Sequence, residues 1–311
     1  MVAKKISTSD KQAVCKKLIA SLRKRYSATL PKYDRPVLET ILHAICLENT
    51  TNEKADEVFD ALLDGFHDLN EIRVSTISEL ESVFVNVNVG DAEWRAYRIR
   101  TVLQYVFDKE FCFDLEMLRK KTLEQAQKQL SRMKTLTPFV LNHTLQVVLG
   151  SHLVPADEKI LNASKWLGLL PEDESIETAS ESLKSSVRKT DAPLFSHLLR
   201  CLATDEELAA DFDLAKNPLP EDGIDLMDAP SRMEDMFAKP LSKQKKKVVK
   251  KKKAKASSKT KKTATKVKKK VPAKTKAADK SVKKTTKKTP AAKRPATTKK
   301  VPKKKSSSSK K

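Results

Sequence analysis

Asp157 is the residue whose position most clearly suggests chemistry. It stands at the start of a predicted helix over 158–167, about twenty residues after a tight turn that opens another predicted helix. A carboxylate held in a cleft activates water or stabilises positive charge in a transition state. The same position suits a plain N-cap, because an aspartate accepts hydrogen bonds from the first-turn amides. Asp157 is therefore the candidate catalytic residue, with helix capping as the alternative.

The turn MKTLT, residues 133–137, is a candidate phosphate-contacting hairpin. It joins the predicted helices 123–132 and 138–149, and Thr137 followed by Pro138 is typical of a helix start. A hairpin that presses its backbone against a phosphate usually contains glycine, which this turn lacks. The sequence thus leaves two interpretations, a drifted nucleic-acid-binding hairpin or a plain corner between buried helices, and we favour the first.

The elements that position these residues are predicted to be helices. Only five glycines occur, and candidate capping boxes recur: Thr50 with Glu53, Thr76 with Glu79, Thr122 with Gln125 and Thr204 with Glu207. Residues 85–89, VNVNV, are expected to be an extended loop, and helix 138–149 is expected to be central and buried. Periodicity predicts helices over 9–26, 35–48, 51–65, 77–84, 92–108, 123–132, 138–149, 158–167, 176–187, 192–202 and 205–213.

The order of these elements resembles the helix-hairpin-helix DNA glycosylase superfamily, the endonuclease III-like proteins. The stretch LSRMKTLTPFVLNHTLQVVLGSHLVPADEK is similar to the family's hairpin, its buried helix and the aspartate that follows. WRAYRIRTVLQYV, through Arg95, Ala96 and Ile99, resembles the Lys-Ala-x-x-Ile helix before the hairpin. The resemblance covers roughly 30–205 and implies a two-lobed, all-α fold in which Asp157 is the catalytic carboxylate.

Departures from the family pattern limit the chemistry that the resemblance implies. The lysine nucleophile of the bifunctional members falls on Phe139, which cannot form a Schiff base, so lyase activity is not expected. Both hairpin glycines are replaced, by Thr135 and Thr137, and the family's cluster-binding cysteines are missing. The implied activity is a monofunctional N-glycosylase acting in base excision repair, which extrudes its target base and uses Asp157.

The C-terminal segment is the strongest indication of a partner class. Residues 243–311 contain 31 Lys and one Arg against Asp279, which gives +31 within a chain of +23 and leaves −8 for residues 1–242. With no aromatic residue and few large aliphatic ones, this tail is predicted to be disordered. Such a charge run resembles linker-histone tails and attracts any polyanion by counterion release, so DNA is the predicted partner, with RNA as an alternative.

The candidate DNA-binding residues lie in the hairpin, in the helix before it and in the tail. Solvated surface lysines and arginines are the alternative interpretation for each of them. Trp94 and Tyr97 either stack on a base or pack into the core. The predicted contacts are Lys134, Thr135, Thr137, Arg95, Arg98, Lys245, Lys246, Lys247, Lys251, Lys252 and Lys253.

Several function classes are not supported by the composition. The four cysteines have no metal-site spacing and the histidines share no ligand pattern, so neither a metal nor another cofactor is expected. No apolar run reaches a membrane span and no signal-peptide core is present, so no membrane partner is expected. We expect a cytoplasmic, nucleoid-associated protein, or a nuclear one in a eukaryote.

The sequence therefore predicts a monomeric DNA-binding protein of three parts. Residues 1–214 form the helical domain, with one lobe over 35–150 and the other from 1–34 plus 151–214. Residues 215–242 are an acidic, proline-containing linker or docking segment, and 243–311 are the basic tail. The alternative is a non-catalytic architectural protein that keeps the glycosylase-like fold and compacts nucleic acid.

Overall fold

A computed structural model describes residues 7–31, 34–220 and 224–238 of the chain, and these ranges are entirely helices, turns and loops. The predicted all-α class is confirmed. The basic tail lies outside the described residues. The α-helices are α1 (Thr8–Arg25), α2 (Val37–Leu47), α3 (Asn52–Gly65), α4 (Leu69–Val74), α5 (Ile77–Val87), α6 (Ala92–Glu110), α7 (Leu123–Leu130), α8 (Pro138–Leu149), α9 (Glu158–Trp166), α10 (Ile176–Lys184), α11 (Ala192–Thr204) and α12 (Ala229–Ala238); two 3₁₀ helices span Glu116–Lys120 and Leu226–Asp228.

The described helices pack around two hydrophobic cores, which gives the fold its two lobes. The first core draws on residues from Val37 to Leu153, and therefore on α2 to α8. The second draws on α1 and on residues from Val154 to Met236, so the chain starts in the second lobe and returns to it after α8. The crossing point lies just before Asp157.

Helix α2 occupies the centre of the first lobe. Every residue from Val37 to Leu47 except Glu39 is buried, and α2 packs against both α3 and α8. Helix α8, expected to be buried on all sides, is only half buried, since Leu141, Val147, Val148 and Leu149 keep partial exposure. The helix that is apolar all round is thus α2, as its composition requires.

Some helix boundaries differ from the predicted ones for identifiable reasons. Residues 85–87 of the alternating VNVNV stretch continue α5, which ends where Asn88 adopts a left-handed conformation. The expected helix over 205–213 forms turns instead, and the Asp205 carboxylate at its start bonds the side chains of Arg25, the last residue of α1, and Tyr26, which follows it. That carboxylate is therefore committed to a tertiary contact.

The segment 215–242 is more than a linker in its described part. Leu226, Met233 and Met236 are buried in the second core, and α12 packs along α1. Gly168, at φ +71°, makes this approach possible, because a Cβ there would lie 3.1 Å from a side-chain carbon of Ile224. Residues 224–238 therefore belong to the second lobe.

Candidate functional site between the lobes

Asp157 caps α9 and is completely buried, with 0% of its surface exposed. One carboxylate oxygen accepts the backbone N–H of Ile160 at 2.9 Å. The other accepts the backbone N–H of Asn49 at 3.0 Å and an N–H of the Arg200 guanidinium at 3.2 Å. Two of these three donors come from distant parts of the chain, Asn49 from the first lobe and Arg200 from the second. Asp157 therefore links the two lobes by hydrogen bonds.

Arg200 carries the opposite charge in this link between the lobes and is only 4% exposed. From α11 in the second lobe, its guanidinium also donates to the carbonyl of Leu47, at the end of α2 in the first lobe, at 3.0 Å. It lies over the Phe139 ring, 4.6 Å from the ring centre. The resemblance places Phe139 where some relatives have a lysine nucleophile, and here its ring packs against the guanidinium.

The structure therefore gives Asp157 a capping and ion-pairing role. Chemistry on a substrate requires access to the carboxylate, and in this structure its oxygens face Ile160, Asn49 and Arg200. The catalytic role predicted for Asp157 stays a prediction, and the helix-capping alternative is the one that this geometry supports.

Arg95 stabilises the loop that follows α2. Its guanidinium is 3% exposed and donates to the carbonyls of Gly90 at 2.8 Å and Glu48 at 2.6 Å, with further bonds to Ile45 and Cys46. Burial lowers its pKa. The structure gives Arg95 an internal role in which all three guanidinium nitrogens are engaged, and the phosphate contact predicted for it stays a prediction.

Arg98 holds the hairpin from the inside. It is 2% exposed, forms an ion pair with the buried Glu48 carboxylate, and donates to the carbonyl of Thr135 at 3.0 Å and the hydroxyl of Thr137 at 3.2 Å. Arg98 thus has an internal role as well, and the phosphate contact predicted for it stays a prediction. The hairpin does not depend on glycine-like geometry, since neither threonine is among the positive-φ residues of the described chain.

Three residues of the hairpin, Lys134, Thr135 and Thr137, are predicted to contact DNA. Lys134 is exposed, whereas Thr135 and Thr137 are half buried. Thr137 caps α8, with its hydroxyl accepting the N–H of Val140 at 3.3 Å. Contact of these three residues with DNA stays a prediction, and Lys134 is the one whose charge faces solvent. The tail candidates Lys245, Lys246, Lys247, Lys251, Lys252 and Lys253 lie outside the described residues.

A cavity of about 210 Å³ lies between the lobes, on the α8 side of Arg200. Its polar lining includes Asn52, His143, Gln146 and His197. Burial, reinforced by the Arg200 charge, holds the pKa of His143 well below its ordinary value, so the ring is neutral at neutral pH. These histidines share no spacing along the chain, because α8 and α11 bring them together only in the fold.

The chemistry of this cavity is limited by its surroundings. Cys201 lies 3.8 Å from His197, but burial raises its pKa to about 11, so the thiol is not a ready nucleophile. Among the residues that the structure describes, no three His, Cys, Asp or Glu side chains are placed to hold a metal ion. No helix in those ranges is long and apolar enough to cross a membrane.

Trp94 and Tyr97 form an exposed aromatic pair on α6. Their rings stack with centroids 5.2 Å apart and an interplanar angle of 16°, while 54% and 43% of their surfaces are exposed. They do not pack into either core. The pair lies on the helix whose Arg98 holds the hairpin, which leaves base stacking as the open interpretation.

Comparisons with known proteins agree with this architecture at the level of the fold. Neither a protein-family model nor a curated protein sequence matches the chain. A non-covalent complex of endonuclease III with DNA is similar in structure, with a TM-score of 0.50 and 14% identity over 64% of this chain and 86% of that one. A trapped covalent endonuclease III–DNA intermediate has a TM-score of 0.49 at the same identity and coverage.

A more distant similarity is to H. pylori 3-methyladenine DNA glycosylase bound to 1,N6-ethenoadenine. Its TM-score is 0.40 at 14% identity, over 73% of this chain and 93% of that one. At these identities a structural similarity establishes architecture and not activity. The chain has the all-helical fold of the helix-hairpin-helix DNA glycosylases.

Proposed function

We propose that this protein binds DNA with a glycosylase-like body and does not use Asp157 for base excision. The observation that carries the proposal is the complete burial of Asp157 in an ion pair with Arg200. A carboxylate in that position stabilises the junction of the lobes. With Phe139 buried beneath the same guanidinium, neither family position offers an accessible catalytic group.

Attachment to DNA is assigned mainly to residues 243–311. Their charge of +31 contrasts with −8 for residues 1–242, so most of the non-specific attraction resides in the tail. If about ten phosphates are engaged, the logarithm of the binding constant falls against that of salt concentration with a slope of about −9. Association with chromosomal DNA, in a nucleoid or a nucleus, is part of this proposal.

Base excision is the second candidate function, favoured by the cavity between the lobes. Its polar lining of Asn52, His143, Gln146 and His197 is of the kind that recognises the edge of a nucleobase. The similarity of fold to an endonuclease III–DNA complex agrees with this candidate. In that case a group other than Asp157 acts on the glycosidic bond, or Asp157 leaves Arg200 when DNA binds.

A panel of damaged duplexes discriminates between the two functions. The full-length protein is incubated with duplexes containing uracil, oxidised bases or alkylated bases, and strand cleavage after alkali reports excision. A duplex with an abasic site is the positive control for alkaline cleavage and, without alkali, reports lyase activity. We expect binding to all duplexes and excision of none, with Asp157→Asn binding as the wild type does at temperatures where it is folded. Excision that is lost in Asp157→Asn would overturn the proposal and favour a monofunctional glycosylase.

A deletion tests the role of the tail separately. Removal of residues 243–311 is expected to weaken binding to an undamaged duplex by more than a hundredfold at low salt and to flatten the salt dependence. Equal binding by the shortened protein would contradict the assignment. Preferential recovery of RNA over DNA after crosslinking in cells would point instead to RNA association.

A further inference from the structure

A groove bounded by α6, the first 3₁₀ helix and α7 forms a concentrated basic surface on the body. It encloses about 900 Å³ and is lined by Lys109, Lys121, Lys128 and Arg132, with Glu110 as the one acid in its lining. Residues 1–242 carry a net charge of −8, so this is a local reversal of sign. We call it the basic groove and propose that it binds the phosphate backbone of duplex DNA.

The four cations of the basic groove are not used to hold the fold together by ion pairing. In the part of the chain that the structure describes, none of them lies within 4.0 Å of a carboxylate oxygen. Lys121 donates to the side-chain oxygen of Gln129, and Lys109, Lys128 and Arg132 are exposed. Their charges are therefore free to be neutralised by a ligand.

The spacing along α7 aligns donors in one row. Gln125, Lys128 and Arg132 are separated by three and four residues, so they follow one another along the same side of the helix and the turn after it. Cations that follow one another along a surface match the regular spacing of charges on a nucleic-acid backbone better than a single compact anion. This row ends two residues before the exposed Lys134 of the hairpin.

A second groove on the other side of the hairpin provides an internal comparison. It has a volume of about 450 Å³ and contains Lys134 and Lys184, but also Glu177 and Glu181. Lys184 is paired with Glu181 at 3.0 Å. The charges in this second groove are balanced, so it offers a polyanion no net attraction. Of the two grooves beside the hairpin, the basic groove is therefore the one that attracts a phosphate backbone.

The rim of the basic groove, in contrast to its apolar floor, favours a phosphate backbone. Val106, Leu115 and Met133 are buried there, and Tyr105 is half buried at the side. Apart from Glu110, the rim of the open groove is cationic or amide-bearing, so its recognition is by charge and hydrogen bonding to phosphates and carries no base specificity. This inference rests on the proposed DNA binding and adds a contact surface on the body to that of the tail.

The test compares two double variants of the full-length protein that lose the same charge. Lys128→Gln with Arg132→Gln alters the basic groove, and Lys16→Gln with Lys17→Gln removes two exposed lysines from α1. Binding to a 20-base-pair duplex is measured between 50 and 200 mM salt. Two lost phosphate contacts make the slope of the logarithmic plot shallower by about 1.8, which is about a twelvefold change in relative affinity across that range.

We expect this change in the basic-groove variant and less than half of it in the α1 variant. Crosslinking to bromodeoxyuridine-substituted duplex is expected to label peptides within 105–133 in addition to the tail. Equal slopes for the two variants, or labelling confined to 243–311, would overturn the basic groove while leaving DNA binding by the tail intact. A wild-type protein that does not bind the duplex would overturn the proposed function and the groove with it.

Discussion

The ion pair between Asp157 and Arg200 offers the sharpest test of how the carboxylate is used. In Asp157→Asn the side chain keeps an oxygen to accept the N–H of Ile160, so the cap of α9 is largely preserved. The change removes the negative charge beside Arg200. It also replaces the carboxylate oxygen that accepts hydrogen bonds from Asn49 and Arg200 with an amide NH₂ group, which cannot accept them. The variant therefore separates the contacts of the second oxygen, which bonds Arg200 and Asn49, from the capping interaction.

The expected cost follows from the burial of both partners. Asp157 is 0% and Arg200 4% exposed, so the neutral variant strands a cation in a site that water does not reach. Breaking such a pair from one side costs about 3–5 kcal/mol, and we expect a loss of about 3 kcal/mol because Leu47 still accepts one N–H of Arg200. For a domain of ordinary stability this is a large fraction of the total.

The assay is urea unfolding followed by circular dichroism, with the midpoint and the slope fitted separately. Asp68→Asn is the matched control, because Asp68 caps α4 in the same way, with its carboxylate 2.8 Å from the N–H of Glu71, but is exposed. We expect the control to lose less than about 0.5 kcal/mol. In Asp157→Asn combined with Arg200→Met, the loss should be at least about 2 kcal/mol smaller than the sum of the single variants.

If Asp157→Asn unfolds at the same urea concentration as the wild type, the carboxylate is not a structural ion pair in solution. Unchanged stability together with loss of an excision activity would assign Asp157 to catalysis. A destabilised variant that binds DNA normally when folded supports a structural role for the carboxylate at the junction of the lobes.

Three further predictions concern other buried or exposed groups. Burial lowers the pKa of His143, so below about pH 6.5 the unfolded chain binds a proton at this residue that the folded chain does not. His143 then lowers the stability by up to about 1.4 kcal/mol for each pH unit that the pH falls, and His143→Leu should lose this contribution in urea titrations at pH 5 to 7. The contributions of His43 and His197, whose pKa values burial also lowers, should remain. Arg98→Lys keeps a positive charge beside Glu48 but loses the guanidinium hydrogen bonds to Thr135 and Thr137, so it should lower the free energy of unfolding by about 2 kcal/mol. Amide hydrogen exchange at 133–137 should become faster, and unchanged exchange would show that Arg98 does not hold the hairpin. Trp94→Phe should leave stability within about 0.5 kcal/mol and abolish any DNA-dependent change in tryptophan fluorescence, whereas a change that persists would originate at Trp166.

Two of the four predicted capping boxes form, and the other two do not. The capping boxes of Thr76 with Glu79 and Thr122 with Gln125 form as expected. At 50–53 the neighbouring Thr51 takes the cap instead of Thr50, whose hydroxyl bonds the carbonyl of Glu48. Thr204 lies inside the last turn of α11 and bonds the carbonyl of residue 200. Residue type and spacing identify candidate caps, and a competing local hydrogen bond of the hydroxyl removes two of them.

The roles of the arginines were not predictable, because the sequence does not distinguish a surface cation from a buried one. Arg95, Arg98 and Arg200 are all less than 5% exposed, although arginine is rarely so buried unless it is paired. Their partners are mostly backbone carbonyls and side chains about 40 or more residues away. Periodicity within one helix contains no information on such contacts, so the predicted phosphate contacts at Arg95 and Arg98 rested on residue type alone.

The basic groove was missed for a related reason. Lys128 and Arg132 lie four residues apart and were visible in the sequence, but Lys109 and Lys121 line the same groove only in the folded chain. By contrast, the position of Asp157 at a helix start was clear from the sequence, because Asp before a helix is a local pattern. Its burial depends on Asn49 and Arg200, which only the fold brings to it.

The loop after α2 has a consequence for how a duplex is accommodated. Leu47, Glu48 and Asn49 are bonded by Arg95 from the first lobe and by Arg200 and Asp157 from the second. Moving one lobe against the other would expose charges that now neutralise each other out of water, so the hinge between them is stiff. In the DNA binding that we propose, a duplex that does not already fit this body must itself bend, and we expect its affinity to depend on how readily it deforms.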